Sequence, residues 1–155
     1  MANDQLELLA GLAPGEAAAV LALGSRVTLG VGEVLFNLGD VADTLFVVER
    51  GRIDLSLPMQ VRDQESDLLV EERLPGQALG WSALIPPHRF TLKAVAPLET
   101  QLLAFPREAL VEHFTARPLV GYTVTRNVAA VVGQRLQVFQ AMWLREMQRV
   151  VQLRG

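Results

Sequence analysis

Apolar and polar residues alternate through the middle of the chain and fall at helical spacing towards both ends. From Arg26 onward, Val27, Leu29 and Val31 alternate with Arg26, Thr28 and Gly30, and Val34-Leu35-Phe36 follows the turn Gly30-Val31-Gly32-Glu33. This period of two predicts strands. Thr44–Val48 and Ile53–Leu57 flank Glu49-Arg50-Gly51-Arg52, a predicted hairpin in which Gly51 supplies the positive φ of a tight turn. Leu68–Arg73, Thr91–Ala96 and Thr100–Phe105 read as further strands, punctuated by Gly76 and Pro97. Short strands at roughly 8–12-residue spacing predict a barrel or sandwich, not a parallel α/β sheet.

At the N-terminus, Asn3 or Asp4 as cap with Leu6, Leu9 and Leu12 on one side predicts an opening helix. Pro14 starts a second short helix through Leu23, closed by Gly24. After Pro106 the period returns to 3.6: Arg107–Phe114 forms one short helix, Ala116-Arg117 breaks it, and Pro118 opens a long one. Val124, Val128, Val131, Val132, Leu136, Phe139, Trp143, Met147 and Val150 line its apolar stripe. A stripe that long exceeds what one small barrel covers, and self-pairing across a two-fold axis is the commonest way to bury the remainder.

Composition narrows the class of protein. A chain of 155 residues, half of them apolar, has the size and material for one modest core. No apolar stretch approaches the roughly 20 residues of a membrane-spanning helix, and Met1–Leu12 carries acids where a signal peptide carries basic charge. A cytoplasmic setting is the expectation. Cysteine is absent, so neither disulfides nor thiolate metal ligation enter the picture. The formal charge is −3, unevenly spread: residues 1–116 carry 16 acids against 8 bases, and 117–155 carry 6 arginines against Glu146 alone.

Gly32-Glu33-Val34-Leu35-Phe36, Gly39-Asp40, Asp43, Leu45-Phe46-Val47-Val48, Gly51-Arg52-Ile53, Gly76 and Gly80 together form a glycine and hydrophobic framework. This framework resembles that of the cyclic-nucleotide-binding domain family, as found in catabolite-activator-type effector domains. The resemblance covers nearly the whole chain and implies a mainly β fold with flanking α: an eight-stranded jelly-roll (double-stranded β-helix) barrel. On this expectation 1–155 is a single domain, with N-terminal helices over 1–24, the barrel over 25–106 and C-terminal helices over 107–155.

In the resembled family, function sits in a cassette between two late strands, here Gly80-Trp81-Ser82-Ala83-Leu84-Ile85-Pro86-Pro87-His88-Arg89-Phe90-Thr91. The implied ligand-binding set is Gly80, Trp81, Ser82, Ala83, Leu84, His88, Arg89, Phe90 and Thr91. A short helix beginning near Ser82 and ended by Pro86-Pro87 would aim backbone N–H groups at a phosphate. The family's acid after the glycine, which accepts from the ribose 2′-hydroxyl, is replaced by Trp81. Losing one charged hydrogen bond of about 1.5–3 kcal/mol weakens a nucleotide by about one to two powers of ten. The phosphate-clasping arginine has two candidates: alignment from Leu84 selects Arg89, whereas alignment back from Lys93-Ala94 selects His88, and a one-residue slip turns the side chain to the other face. Trp81 either stacks on a purine or plugs the pocket, and burial tendencies favour the plug.

Other constellations carry less. Gly80-Trp81-Ser82-Ala83-Leu84 lacks the second glycine and the α/β context of a nucleophile elbow. Gly30-Val31-Gly32 is too short for a dinucleotide fingerprint. His113 has no second histidine or cysteine at metal-ligand spacing, so no metal is expected. Arg126, Arg135, Arg145 and Arg149 read as a solvated face opposite the apolar seam, and an amphipathic membrane-surface helix is the secondary reading. No nucleophile–base pair, acid pair or metal cluster is recognisable, so no enzyme activity is expected. The sequence ends at Gly155 without a helix-turn-helix after the long helix, so DNA binding is not expected either. The expectation is therefore a regulatory module, homodimeric through its C-terminal helix, that binds cAMP, cGMP or a similar phosphate ligand and signals through its C-terminal helices, with a separate effector protein as a further partner. Its alternative is a nucleotide-free scaffold that dimerises through the long helix.

Overall fold

The computed structural model describes residues 6–155. Its strands are β1 (Ser25–Leu29), β2 (Val34–Phe36), β3 (Thr44–Arg50), β4 (Ile53–Val61), β5 (Gln64–Arg73), β6 (Ala78–Leu79), β7 (Lys93–Val95) and β8 (Thr100–Pro106). Its helices are α1 (Pro14–Leu21), α2 (Arg107–Ala116) and α3 (Pro118–Leu153). The strands form two antiparallel four-stranded sheets, ordered β1-β8-β3-β6 and β2-β7-β4-β5. The jelly-roll architecture is present, but as two facing sheets and not as a closed barrel.

Strand β3 shows why the pattern Leu45-Phe46-Val47-Val48 is continuously apolar. Successive side chains point to opposite faces, and here both faces are covered. Phe46 and Val48 turn into the space between the sheets, with Leu29, Leu79 and Leu102 from their own sheet and Phe36, Ile53, Leu55 and Ala94 from the other. Leu45 and Val47 turn outward against a second core built with Leu8, Val20, Phe105, Leu110, Val124 and Val128. The helices are thus layered on the outside of one sheet.

The hairpin turn between β3 and β4 requires glycine. Gly51 has φ +91°, and a Cβ there would lie 2.5 Å from Thr100 Oγ1 and 2.7 Å from the Glu99 carbonyl oxygen. The buried Thr100 hydroxyl accepts from the Arg52 N–H at 3.2 Å, so the turn and the start of β8 lock together.

The predicted opening helix is a single 3-10 turn, Glu7–Leu9; its proposed caps Asn3 and Asp4 lie outside the described residues. Leu6, Leu8 and Leu9 are all buried there, which a one-sided helix would not allow, and Gly11 at φ +86° turns the chain away. Helix α1 starts at Pro14 as predicted, with the Glu16 carboxylate accepting from the Ala13 N–H at 2.9 Å. It ends two residues earlier than predicted, at Leu21, before a turn that closes on Gly24.

Helix α3 has 36 residues, a length of about 54 Å at 1.5 Å per residue. Gly121 lets it cross α2 closely, since a Cβ there would lie 2.7 Å from that of Phe114. Asn127 Nδ2 donates to the carbonyls of Leu8 and Ala10, both at 2.8 Å, tying the helix to the N-terminal turn. The predicted apolar stripe divides in two. Val124, Val128 and Val131 are buried against the body, whereas Leu136 is 58% and Trp143 66% exposed. No helix is long and apolar enough to cross a membrane among the described residues.

Candidate functional site

The cassette begins at the end of β6, where Gly80 adopts φ +78° and a Cβ would lie 3.2 Å from the Thr44 carbonyl and 3.3 Å from the rings of Phe46 and Phe90. Trp81–Ala83 forms one 3-10 turn, closed by the Ala83 and Leu84 N–H groups donating to the carbonyls of Gly80 and Trp81, each at 3.0 Å. The predicted short helix is therefore only three residues long. Ser82 and Ala83 are buried, and Trp81 and Leu84 are half-buried.

Beyond Pro86-Pro87, three backbone hydrogen bonds set the direction of every following side chain. Ala42 N–H donates to the His88 carbonyl at 2.8 Å, Phe90 N–H to Asp40 at 3.0 Å and Gly39 N–H to Phe90 at 2.8 Å. This short antiparallel pairing, with Arg89 opposite Val41, starts an alternation in which Phe90, Leu92, Ala94 and Ala96 are all buried. Arg89 and Thr91 consequently face out and are exposed.

Neither candidate for the arginine position turns its side chain into the cavity between the sheets. Arg89 donates from Nη1 to the Gly39 carbonyl at 3.2 Å on the surface. His88 has φ +58°, is half-buried and donates from Nδ1 to the Ser82 carbonyl at 3.0 Å. The side chain that does enter is Phe90, whose ring stacks on Phe36 with centroids 3.7 Å apart and planes 8° apart. Phe46 adds a third ring, 6.3 Å from Phe36.

What remains at the cassette is a cavity of about 10 Å³. Its lining includes Gly80, Trp81, Ser82, Phe90 and Thr91, five of the residues that the resemblance implied, together with Arg135. Ala83, Leu84, His88 and Arg89 do not line it.

Arg135 is a correction to the reading of the long helix, which assigned it to a solvated face. It is 6% exposed, and its Nε is bonded to Glu71 Oε2 on β5. The other oxygen of Glu71 accepts from Arg73 Nη1 at 2.8 Å, and Arg73 Nη2 donates to Glu7 Oε2 at 2.7 Å. Arg73, 2% exposed, also donates from Nε to the Ala78 carbonyl at 2.9 Å. A chain of four charges, its two arginines buried and its two glutamates half-buried, thus joins the N-terminal turn, β5 and α3. Among the described residues, Arg135 Nη2 is buried without a hydrogen-bond partner. The signal in the sequence is its phase: Arg135 follows Val128 and Val131 by seven and four residues, on the stripe that faces the body. Among the described residues no group of acids and histidines is arranged to hold a metal ion.

Comparison with known proteins agrees with this architecture. Residues 26–116 match the family described as the cyclic nucleotide-binding domain. Over 130 residues the chain is 31% identical to the cyclic AMP receptor protein of Thermus thermophilus; the match covers 84% of this chain and 57% of that protein's length. The N-terminal domain of a transcriptional regulator from Streptomyces coelicolor superposes with a TM-score of 0.69 at 30% identity, covering 83% of this chain and 89% of that one. The catabolite activator protein of Thermus thermophilus gives a TM-score of 0.73 at 28% identity, covering 92% of this chain and 63% of that one. By sequence and fold, the chain belongs to the cyclic nucleotide-binding domain family, a family of regulatory domains.

Proposed function

We propose that this chain is a regulatory dimerisation module whose cassette is closed to cyclic nucleotides by its own side chains. The observation that carries this reading is the Phe90–Phe36 stack and the cavity of about 10 Å³ beside it. Small-molecule sites enclose roughly 300–1,000 Å³, whereas this space holds about one water molecule. The chemistry points the same way: Trp81 stands where the family's ribose-binding acid is expected, and Arg89 is spent on a surface carbonyl. With no acid pair, nucleophile–base pair or metal cluster in the cassette, the module acts by binding and not by catalysis.

The output is carried by α3. Ala129, Val132, Leu136, Phe139, Trp143, Val150 and Leu153 fall at alternating steps of three and four, with Glu146 filling the one remaining position. That seam leaves the body after Arg135, and a second copy of the same helix is the partner that its self-complementary pattern fits. A separate effector protein then reads the surface of the dimer.

A second reading, a sensor of cAMP or cGMP, is favoured by one observation: a buried guanidinium, Arg135, with a free N–H in the cassette. It requires Phe90 and Trp81 to leave their places. Isothermal titration calorimetry with cAMP and cGMP separates the two. The closed-cassette reading expects no heat at millimolar nucleotide; micromolar binding would replace it with the sensor reading.

A further inference from the structure

We propose that the open groove between α2, the start of α3 and the segment after the cassette turn receives the Tyr122 ring of a second copy of this chain. The inference rests on the dimer proposed above and extends its seam to the first turns of α3, where the second copy meets the body as well as the helix.

The groove encloses about 430 Å³. Leu84 and Ile85 form one wall, and Val111 and Phe114 on α2 form another. The α3 side consists of Pro118, Gly121, Thr125, Val128 and Ala129. Apart from the hydroxyls of Thr115 and Thr125, the side chains on this surface are apolar. An apolar cavity of roughly 150 Å³ suffices for a benzene ring, so an aromatic side chain fits with room to spare.

The spacing of α3 identifies that side chain. Stepping back from Ala129 by four and then by three reaches Thr125 and Tyr122, so the alternation of the seam continues two turns towards the start of the helix. When two helices pair parallel and in register, a seam side chain enters a hole made by four residues of the facing helix. For Tyr122 the hole is the partner's Pro118, Gly121, Tyr122 and Thr125; for Ala129 it is the partner's Thr125, Val128, Ala129 and Val132. Three residues of each hole line the groove. Gly121 has no side chain to fill the first hole, and its floor therefore reaches Phe114 on α2.

Tyr122 is suited to the place. It is the single tyrosine of the chain, it is 65% exposed, and the Arg126 guanidinium lies 5.9 Å from its ring centroid. Tyrosine is enriched at interfaces because its ring is apolar and its tip is polar. The tip has a partner in the groove: Thr115 Oγ1 donates to the Val111 carbonyl at 2.8 Å, which leaves the same oxygen free to accept from the phenol. The groove thus draws on three segments of one copy, and a ring from the other copy closes it.

Two measurements on the full chain test the insertion. Because the chain has one tyrosine, 3-fluorotyrosine labels Tyr122 alone, and the shift of its fluorine resonance between H2O and D2O reports exposure. That solvent shift is expected to be largely lost in the wild-type dimer and restored in Leu136→Asp, the variant designed to be monomeric. Val111 is half-exposed and lies on α2, outside the α3 seam, so pairing of the helices alone leaves it untouched. Val111→Asp is expected to keep the fold by circular dichroism and to weaken association about ten-fold or more by sedimentation. A wild type that sediments as a monomer overturns both this inference and the dimer on which it rests. A dimer whose fluorine keeps the solvent shift of the monomer, or whose association Val111→Asp leaves unchanged, overturns this inference alone.

Discussion

The ring of Phe90 lies flat on that of Phe36, 3.7 Å away, on the inner side of two facing sheets. Both side chains are buried, so truncating Phe90 removes a large ring from a packed core instead of clearing a binding site. Phe90→Ala is expected to cost about 3–5 kcal/mol of stability in urea denaturation. A loss below about 1 kcal/mol would mean that the ring is not a structural part of the core.

Arg73 and Arg89 are both arginines on the β framework and should behave in opposite ways. Arg73 is 2% exposed and holds Glu7, Glu71 and the Ala78 carbonyl together, so Arg73→Ala leaves two carboxylates without their buried partner. The expected cost is about 3–5 kcal/mol. Arg89 holds one carbonyl at the surface, and Arg89→Ala is expected to stay within about 0.5 kcal/mol of wild type. Chemical denaturation of the two variants side by side checks the contrast; similar losses would show that Arg89 carries structure that its exposed contact does not reveal.

Most of the fold was legible because period and punctuation agree. Alternation placed β1, β3, β4 and β8, Gly51 placed their central hairpin, and Pro106 and Pro118 marked where helices begin. Two features escaped for physical reasons. Strand β6 is two residues long, too short for a period to show. Strands β4 and β5 run further than predicted, to Val61 and back from Gln64, because their outer halves are solvent-exposed on both faces and keep no alternation of buried and exposed positions. The cassette was legible as a segment but not as a geometry: the direction of Arg89 depends on the pairing of His88–Phe90 with Gly39–Ala42, a long-range contact that local pattern does not encode. Arg135 had a signal in its helical phase, and charge alone had assigned it to solvent.

Gly51 and Gly32 separate two costs that a glycine can hide. Both have positive φ, +91° and +79°, but a Cβ at Gly32 meets nothing within 4 Å, whereas at Gly51 it strikes Thr100 and Glu99. Gly32→Ala is expected to lose only the backbone term, about 1–2 kcal/mol. Gly51→Ala should lose that and more, because the clash involves backbone and a hydroxyl already bonded to Arg52. Thermal unfolding of the pair measures the difference. Equal losses would mean that β8 yields at Thr100 and that the turn is not locked to it.

The exposed half of α3 carries the prediction on which the dimer rests. Two residues of the same helix, Val128 and Leu136, have the same apolar chemistry but different surroundings: Val128 is 2% exposed inside the core shared with α2 and the N-terminal turn, and Leu136 is 58% exposed on the free seam. A charge placed at Val128 must be buried in the folded chain, so Val128→Asp is expected to unfold the protein at any concentration. A charge at Leu136 stays in water in a monomer and becomes buried only when a second α3 covers it. Leu136→Asp is therefore expected to keep the fold, by circular dichroism, while shifting sedimentation from dimer to monomer. Trp143→Asp, 66% exposed two turns further on, should do the same. If wild type sediments as a monomer, or if Leu136→Asp remains dimeric, the seam is not where copies of this chain meet, and its apolar positions then belong to a different partner.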